Sequence, residues 1–295
     1  TGNILDNGVL TVAGTSSFTT SQNNADITLN NTNAFTGAVA LNTTGSTGNA
    51  LVDNGTTALN VAASTVGGNL TLTSGHASGI TDSGTVTVGG NLTATTDANS
   101  GVINLGTLAV DGTVALTTNG SGNATVVNDA GLTFAASTVG GNLAATATTG
   151  NMADSGALTI AGTSSFTTSA NNATIALDTT TNAFTGAVTI TTNDNSGTDA
   201  DVTIDGGTTA LVLAASTIDG DLTVSRGHTI AHAVEDAVRD SDTSVQGVHV
   251  HMNPCEPDVD LGAGLFGGAA PARPPSSPKR ATQTSESQAS SGRKP

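Results

Sequence analysis

Short stretches in which an apolar residue alternates with threonine recur along most of the chain. Leu70-Thr71-Leu72, Val86-Thr87-Val88, Val188-Thr189-Ile190 and Val202-Thr203-Ile204 all follow this pattern. A period of two puts Val, Leu and Ile on one face of an extended segment and Thr on the other, so the pattern predicts strands with one buried face. Asn, Asp and Gly gather between the stretches, and Asp-x-Gly triplets begin at Asp6, Asp53, Asp82, Asp129, Asp154 and Asp205. These residue types favour turns because they tolerate unusual backbone angles and bond their own backbone. Residues 1–225 contain no stretch with helical apolar spacing.

The strands come in copies. GTSSFTTS stands at 14–21 and again at 162–169, each copy followed by an Asn-Asn pair, a short alternating strand and then TNAFTGAV, at 32–39 and 181–188. AASTVGGNL occurs at 62–70 and 135–143, with the variant AASTIDGDL at 214–222. The Asp-x-Gly turns are 47, 29, 47, 25 and 51 residues apart, which reads as multiples of a unit of 23–29. Periods of that size mark solenoids. The fold class expected over residues 1–225 is therefore all-β, a right-handed parallel β-helix of roughly nine coils, on the order of 40 Å long at ~4.8 Å per coil. The absence of proline from this stretch fits, since proline removes a donor from every stacked strand.

Composition changes abruptly after residue 225. Residues 1–225 hold 15 Asp and no Lys, Arg, Glu or Pro; all seven Lys and Arg of the chain lie at or beyond Arg226. The formal charge of −16 is thus carried almost wholly by the repeats. A surface without cations cannot neutralise phosphates, which excludes nucleic acid and anionic membranes as partners of the repeat region. The single Cys255 excludes an internal disulfide framework. No run of about 18 apolar residues is present to span a bilayer. The chain starts at Thr1 without a signal-like segment and reads as a fragment or processed product.

With GTSSFTTS, NAFTGAV and AASTVGGNLT as its recurring elements, the repeat region resembles the β-strand repeats of filamentous-haemagglutinin-like adhesins and autotransporter-type surface proteins of bacteria. The resemblance implies a secreted or surface-displayed scaffold whose partners are a host or cell-surface receptor or like chains.

Catalytic groups are scarce in this region. His76, in SGHAS, is its only histidine and reads as a solvated turn residue. Asp194, Asp199, Asp201 and Asp205 form an acidic cluster with the hard oxygen ligands that calcium takes, but without an EF-hand or β-roll spacing. It reads as a solvated acidic loop. Polysaccharide-cleaving β-helices frame their carboxylates with basic and aromatic residues, which are absent around these aspartates. The expectation is a non-enzymatic protein with no catalytic residues and no cofactor in the repeats.

Residues 226–258 are different. Gly227–Asp240 carries Ile230, Ala233, Val234, Ala237 and Val238 at helical spacing, with His228, His232, Glu235 and Arg239 on the opposite face. Residues 247–252 alternate as a strand with His249 and His251 on one side. Histidines at i, i+4 on a helix and i, i+2 on a strand suit zinc. HTIAHAVEDAVRD and VHVHMNPCEP are similar to the end of the cytoplasmic domain of cation diffusion facilitator transporters. That resemblance begins near Asp219, spans about 35 residues and implies zinc ligands at His228 and His251, with Asn253 standing where the family has an acidic ligand. It also implies dimerisation through this segment. Residues 259–295, rich in Pro, Ser and Gly, read as a disordered tail.

The two halves point to two functions. The repeats indicate a structural or adhesive surface scaffold working outside the cell. The histidine segment indicates a metal-binding regulatory module of cytosolic origin, either fused or misjoined to the rod near residue 225.

Overall fold

Alternating stretches become strands, and the apolar member of each alternation turns inward. Leu70–Ser74 buries Leu70, Leu72 and Ser74, and Ala124–Asn128 buries Ala124, Val126 and Asn128. The computed structural model describes residues 2–193 and 199–225, all within one compact unit. Among the described residues there is no helix, and every strand pairing is parallel. The described residues form a parallel β-solenoid, as the repeats predict.

Two long sheets face each other across the core. The first has 14 strands and the second 11, and a two-stranded sheet joins Thr11–Val12 to Ala34–Phe35. The main path of the first sheet has eleven rungs, from Ile4–Leu5 to Leu222–Ser225. Successive rungs are 20 to 27 residues apart, as in Ile4 to Ile27, Leu70 to Leu92 and Ile175 to Val202. The stack therefore has about ten turns, roughly 48 Å at ~4.8 Å each. The roughly nine coils read from the Asp-x-Gly spacing agree with this to within one turn, and the residual difference has a physical reason. Asp53, Asp154 and Asp205 end strands of the first sheet, whereas Asp82 ends a strand of the second. Intervals that cross from one face to the other are not whole coils.

The wider face of the coil also changes sheet. Leu59–Val61 then Ser64–Val66, and Ile80–Asp82 then Val86–Val88, are consecutive short strands of the second sheet. Leu132–Phe134 with Ser137–Val139, and Met152–Asp154 with Leu158–Ile160, are their counterparts in the first. AASTVGGNL accordingly turns from the second sheet to the first at 62–70 and from the first to the second at 135–143. The two faces are near-equivalent, since one sequence builds either corner.

The core is one continuous column of Val, Leu, Ile and Ala. Phe134, Phe166 and Phe184 stack edge-to-face in it, with ring centroids 6.5 and 5.9 Å apart. The Asn-Asn pairs after each GTSSFTTS are explained by backbone angle. Asn24 and Asn172 sit at φ of 58° and 62°, a left-handed conformation that asparagine tolerates better than most residues.

Candidate functional site

The polar residues of the repeated motifs are used to hold coil to coil. In AASTVGGNL the serine is the first staple. Ser64 Oγ accepts the Leu41 amide at 3.0 Å and donates to the Ala62 carbonyl at 2.8 Å. Ser137 does the same for Leu116, and Ser216 for Ile190. The asparagine is the second. Asn49 Oδ1 accepts the Asn69 amide, Asn69 Oδ1 the Asn91 amide, both at 2.8 Å, and Asn91 Oδ1 the Thr113 amide at 2.9 Å. Asn3 and Asp26 extend this ladder below. The preceding glycine leaves it room: a Cβ on Gly68 would lie 2.6 Å from Asn49 Oδ1, and one on Gly90 would lie 2.5 Å from Asn69 Oδ1.

Four buried asparagines act as inserted peptide groups. Asn54 accepts the Phe35 amide and donates to the Phe35 and Ala58 carbonyls at 3.0 and 2.9 Å. Asn128 treats Val110 likewise, while Asn33 and Asn182 accept the Leu10 and Leu158 amides. A buried amide left unpaired costs far more than a satisfied one contributes, so these residues fix the register of the coils they join.

Five of the six Asp-x-Gly triplets fall into two kinds. Asp53 and Asp205 accept the amide two residues on, at Gly55 and Gly207, and both glycines have positive φ. Asp6, Asp82 and Asp154 instead reach the next coil. Asp82 accepts Gly106 N, Thr107 N and Thr107 Oγ1; Asp154 accepts Thr179 N and Asn182 Nδ2. Asp6 accepts Asn30 N, Asn31 N and Asn33 Nδ2. Burial alone would push the Asp6 carboxyl up, but the hydrogen bonds from Asn33, Asn31 and Asn30 outweigh it and hold it below the ordinary carboxylate range.

Two members of the acidic cluster Asp194, Asp199, Asp201 and Asp205 sit at coil corners. Asp201 Oδ1 accepts the Asp221 amide at 2.9 Å and belongs to a coil-to-coil ladder, while Asp205 is buried in its own turn. Asp199 is exposed and Asp194 lies outside the described residues. Among the described residues no group of three or more His, Cys, Asp or Glu is arranged to hold a metal ion. His76 is exposed in a tight turn, its Nδ1 accepting the Ser78 amide and its carbonyl the Gly79 amide. An open depression of about 480 Å³ crosses the turns of neighbouring coils, lined by Thr32, Asp53, Thr57, Gly75 and Asp97 among others. Its lining has no basic or aromatic side chain. His228, His232, His249, His251 and Cys255, the helix expected over 227–240, the strand over 247–252 and the tail over 259–295 lie outside the described residues.

Among the described residues, the apolar surface that is left lies on the first and last described coils. The exposed large hydrophobic residues are Leu5 and Val9 on the first coil and Val212 on the last. The core residues that remain partly open are likewise Ile4, Leu10, Val12 and Phe18 at one end and Leu213, Ile218 and Leu222 at the other. This feature was legible only once the coil order was known.

No curated protein and no solved structure matches the chain. Residues 206–255 are similar to the cytoplasmic domain of cation efflux proteins, a match that begins inside the last described coil and continues past it. Residues 1–42, 47–103 and 121–191 match a family described as repeats of unknown function, DUF5649. These segments make up more than half of the chain, and each runs through the parallel coils described above: the chain belongs to the DUF5649 repeat family.

Proposed function

We propose that the chain is a non-enzymatic structural protein, the rod of a secreted or surface-displayed bacterial adhesin. One observation carries the reading. The polar residues of the repeats are consumed by coil-to-coil hydrogen bonds, and the faces left to solvent are mostly short Thr and Asn side chains on a rigid, anionic stack. That is a sound design for a spacer or a broad contact surface and a poor one for turnover, which needs convergent acid, base or nucleophile groups. The resemblance of the repeats to haemagglutinin-like strands supports the same reading. Fractionation of the source cells tests it. Detection in the medium or on intact cells, together with saturable binding to a host-cell surface, is the expected result. Confinement to the cytosol would contradict it.

The similarity of residues 206–255 to a cation efflux cytoplasmic domain favours a second role for that segment. In this reading His228 and His251, with His232 and His249 nearby in sequence, bind zinc, and the segment pairs two chains. Zinc titration of the full chain should show uptake that the His228→Ala/His251→Ala double variant abolishes. Uptake unchanged by the double variant removes this role and leaves the rod untouched.

A further inference from the structure

Two Asn-Gly pairs lie in interior coils of the described stack, Asn54-Gly55 and Asn119-Gly120. An asparagine before glycine is open to attack on its own side chain, because the glycine nitrogen has no neighbouring Cβ to hold it away. The fold treats the two pairs in opposite ways.

Asn54 is locked. It is fully buried; its Oδ1 accepts the Phe35 amide at 2.8 Å, and its Nδ2 donates to the carbonyls of Phe35, Thr57 and Ala58 at 3.0, 3.2 and 2.9 Å. The nitrogen that would attack it points elsewhere, since the Gly55 amide donates to Asp53 Oδ1 at 2.8 Å. Asn119 is the reverse case. It ends the strand Thr113–Asn119 and is exposed, as is Gly120. The Gly120 nitrogen is turned onto the Asn119 side chain, 2.8 Å from Oδ1, so Cγ lies one bond from an atom already in contact with that nitrogen. Asn119 Nδ2 donates to the Asp97 carbonyl at 3.2 Å, a long bond that is open to water. Gly120 has a φ of 61°, a conformation that keeps the position glycine and the nitrogen unshielded.

We propose that Asn119 is a self-modifying site: the Gly120 nitrogen displaces the side-chain amide, and an exposed asparagine of an interior coil becomes aspartate or isoaspartate as the protein ages. The chemistry needs only water. Hydroxide takes the Gly120 amide proton, the nitrogen bonds to Asn119 Cγ, and the Cγ–Nδ2 bond breaks as ammonia leaves with a proton from water. Water then opens the five-membered imide. Opening at Cγ gives aspartate; opening at the main-chain carbonyl gives isoaspartate, whose chain runs on through Cγ. Holding the nucleophile against its target is what makes such an intramolecular step fast.

The products change the stack. Aspartate removes the donor to the Asp97 carbonyl and adds a charge to repeats that contain no Lys or Arg. Isoaspartate does more. The Asn119 carbonyl accepts the Ser100 and Gly122 amides at 2.9 and 3.2 Å, and a Cβ on Gly140 would run into the Gly120 carbonyl, so the chain here is tied to the coils on both sides. An extra methylene between residues 119 and 120 cannot keep both ties. Conversion therefore loosens an interior coil and serves as an age mark on the rod. None of this depends on adhesion or secretion.

Prolonged warm incubation of the full chain in neutral to mildly alkaline buffer, then unfolding, digestion before aspartate and mass spectrometry, tests the proposal. Asn119 is read from the peptide Asp111–Asn128 and Asn54 from the peptide Asp53–Thr81. The expected result is an amide-to-acid mass gain at Asn119 that speeds up as pH rises and runs about tenfold or more ahead of Asn54. Aspartate at position 119 creates a new cleavage point, whereas isoaspartate does not and is counted by enzymatic carboxyl methylation. In urea the two rates should converge, because the hydrogen bonds that separate them are gone. Asn119→Gln should not convert, and it should keep the Tm that aged wild type loses. Asn119 retaining its amide in the folded chain while converting in urea overturns the proposal. So does Asn54 converting as fast as Asn119 in the folded chain. An unchanged Tm in fully converted chain overturns the loosening.

Discussion

Residues 1–21 and 149–169 are nearly the same sequence in two settings. In the interior copy Met152, Leu158, Ile160 and Phe166 are fully buried; their counterparts Ile4, Leu10, Val12 and Phe18 at the end of the stack are only partly so. Both copies form the same strands and the same turns, and Asn33 and Asn182 bridge to the same leucine position in each. The difference is a neighbouring coil. Local pattern sets the strand, but burial comes from the stack, because a single coil cannot cover its own apolar face.

The largest expected contrast is aromatic. Phe166→Ala removes a ring held between Phe134 and Phe184 and should cost about 3–5 kcal/mol, whereas Phe18→Ala, with Phe35 as its one aromatic neighbour, should cost about half as much. Urea unfolding of the two variants checks this; equal losses would mean that the end coil is as well packed as the interior. Next in size is the bridging asparagine. Asn182→Ala orphans the Leu158 amide and should cost about 2–3 kcal/mol, while Asn33→Ala should cost less because water can reach Leu10.

Glycine gives a smaller but cleaner contrast. Gly162→Ala drives its Cβ into Gly141 and Asn142 and should lose about 1–3 kcal/mol, while Gly14→Ala should be neutral in the single chain. The smallest effect is on pH. Asp6 has a depressed folded-state pKa, so its contribution is present above the unfolded value of about 3.9 and is lost as pH falls through the folded one. The Tm gap between wild type and Asp6→Asn should close below about pH 4. A gap constant from pH 6 to 2.5 would show that the carboxylate charge is irrelevant there.

Much of the fold was legible because alternation and repetition are direct signatures of stacked strands. The coil count, roughly nine, was legible to within one turn; Asp82 turns on the opposite sheet from Asp53 and Asp154, and sequence spacing does not reveal which face a turn lies on. The meaning of AASTVGGNL was not legible either. Ser64 accepts a backbone amide of the preceding coil and Asn69 one of the following coil, each about 20 residues away, and nothing local announces such partners. Two members of the acidic cluster have backbone partners: Asp201 takes the Asp221 amide of the next coil, and Asp205 the Gly207 amide of its own turn.

Amide hydrogen exchange, read residue by residue by NMR on dilute chain, tests most directly that stacking makes this structure. The Ser16 amide donates forward to Ala38, and the Ser164 amide forward to Ala187. By the alternation of a parallel ladder, the amides of Ser17 and Thr19 face the open end, while those of Ser165 and Thr167 face the strand Leu143–Ala147. The account predicts slow exchange at Ser165 and Thr167 and fast exchange at Ser17 and Thr19. Equal protection of both pairs in dilute solution would contradict it.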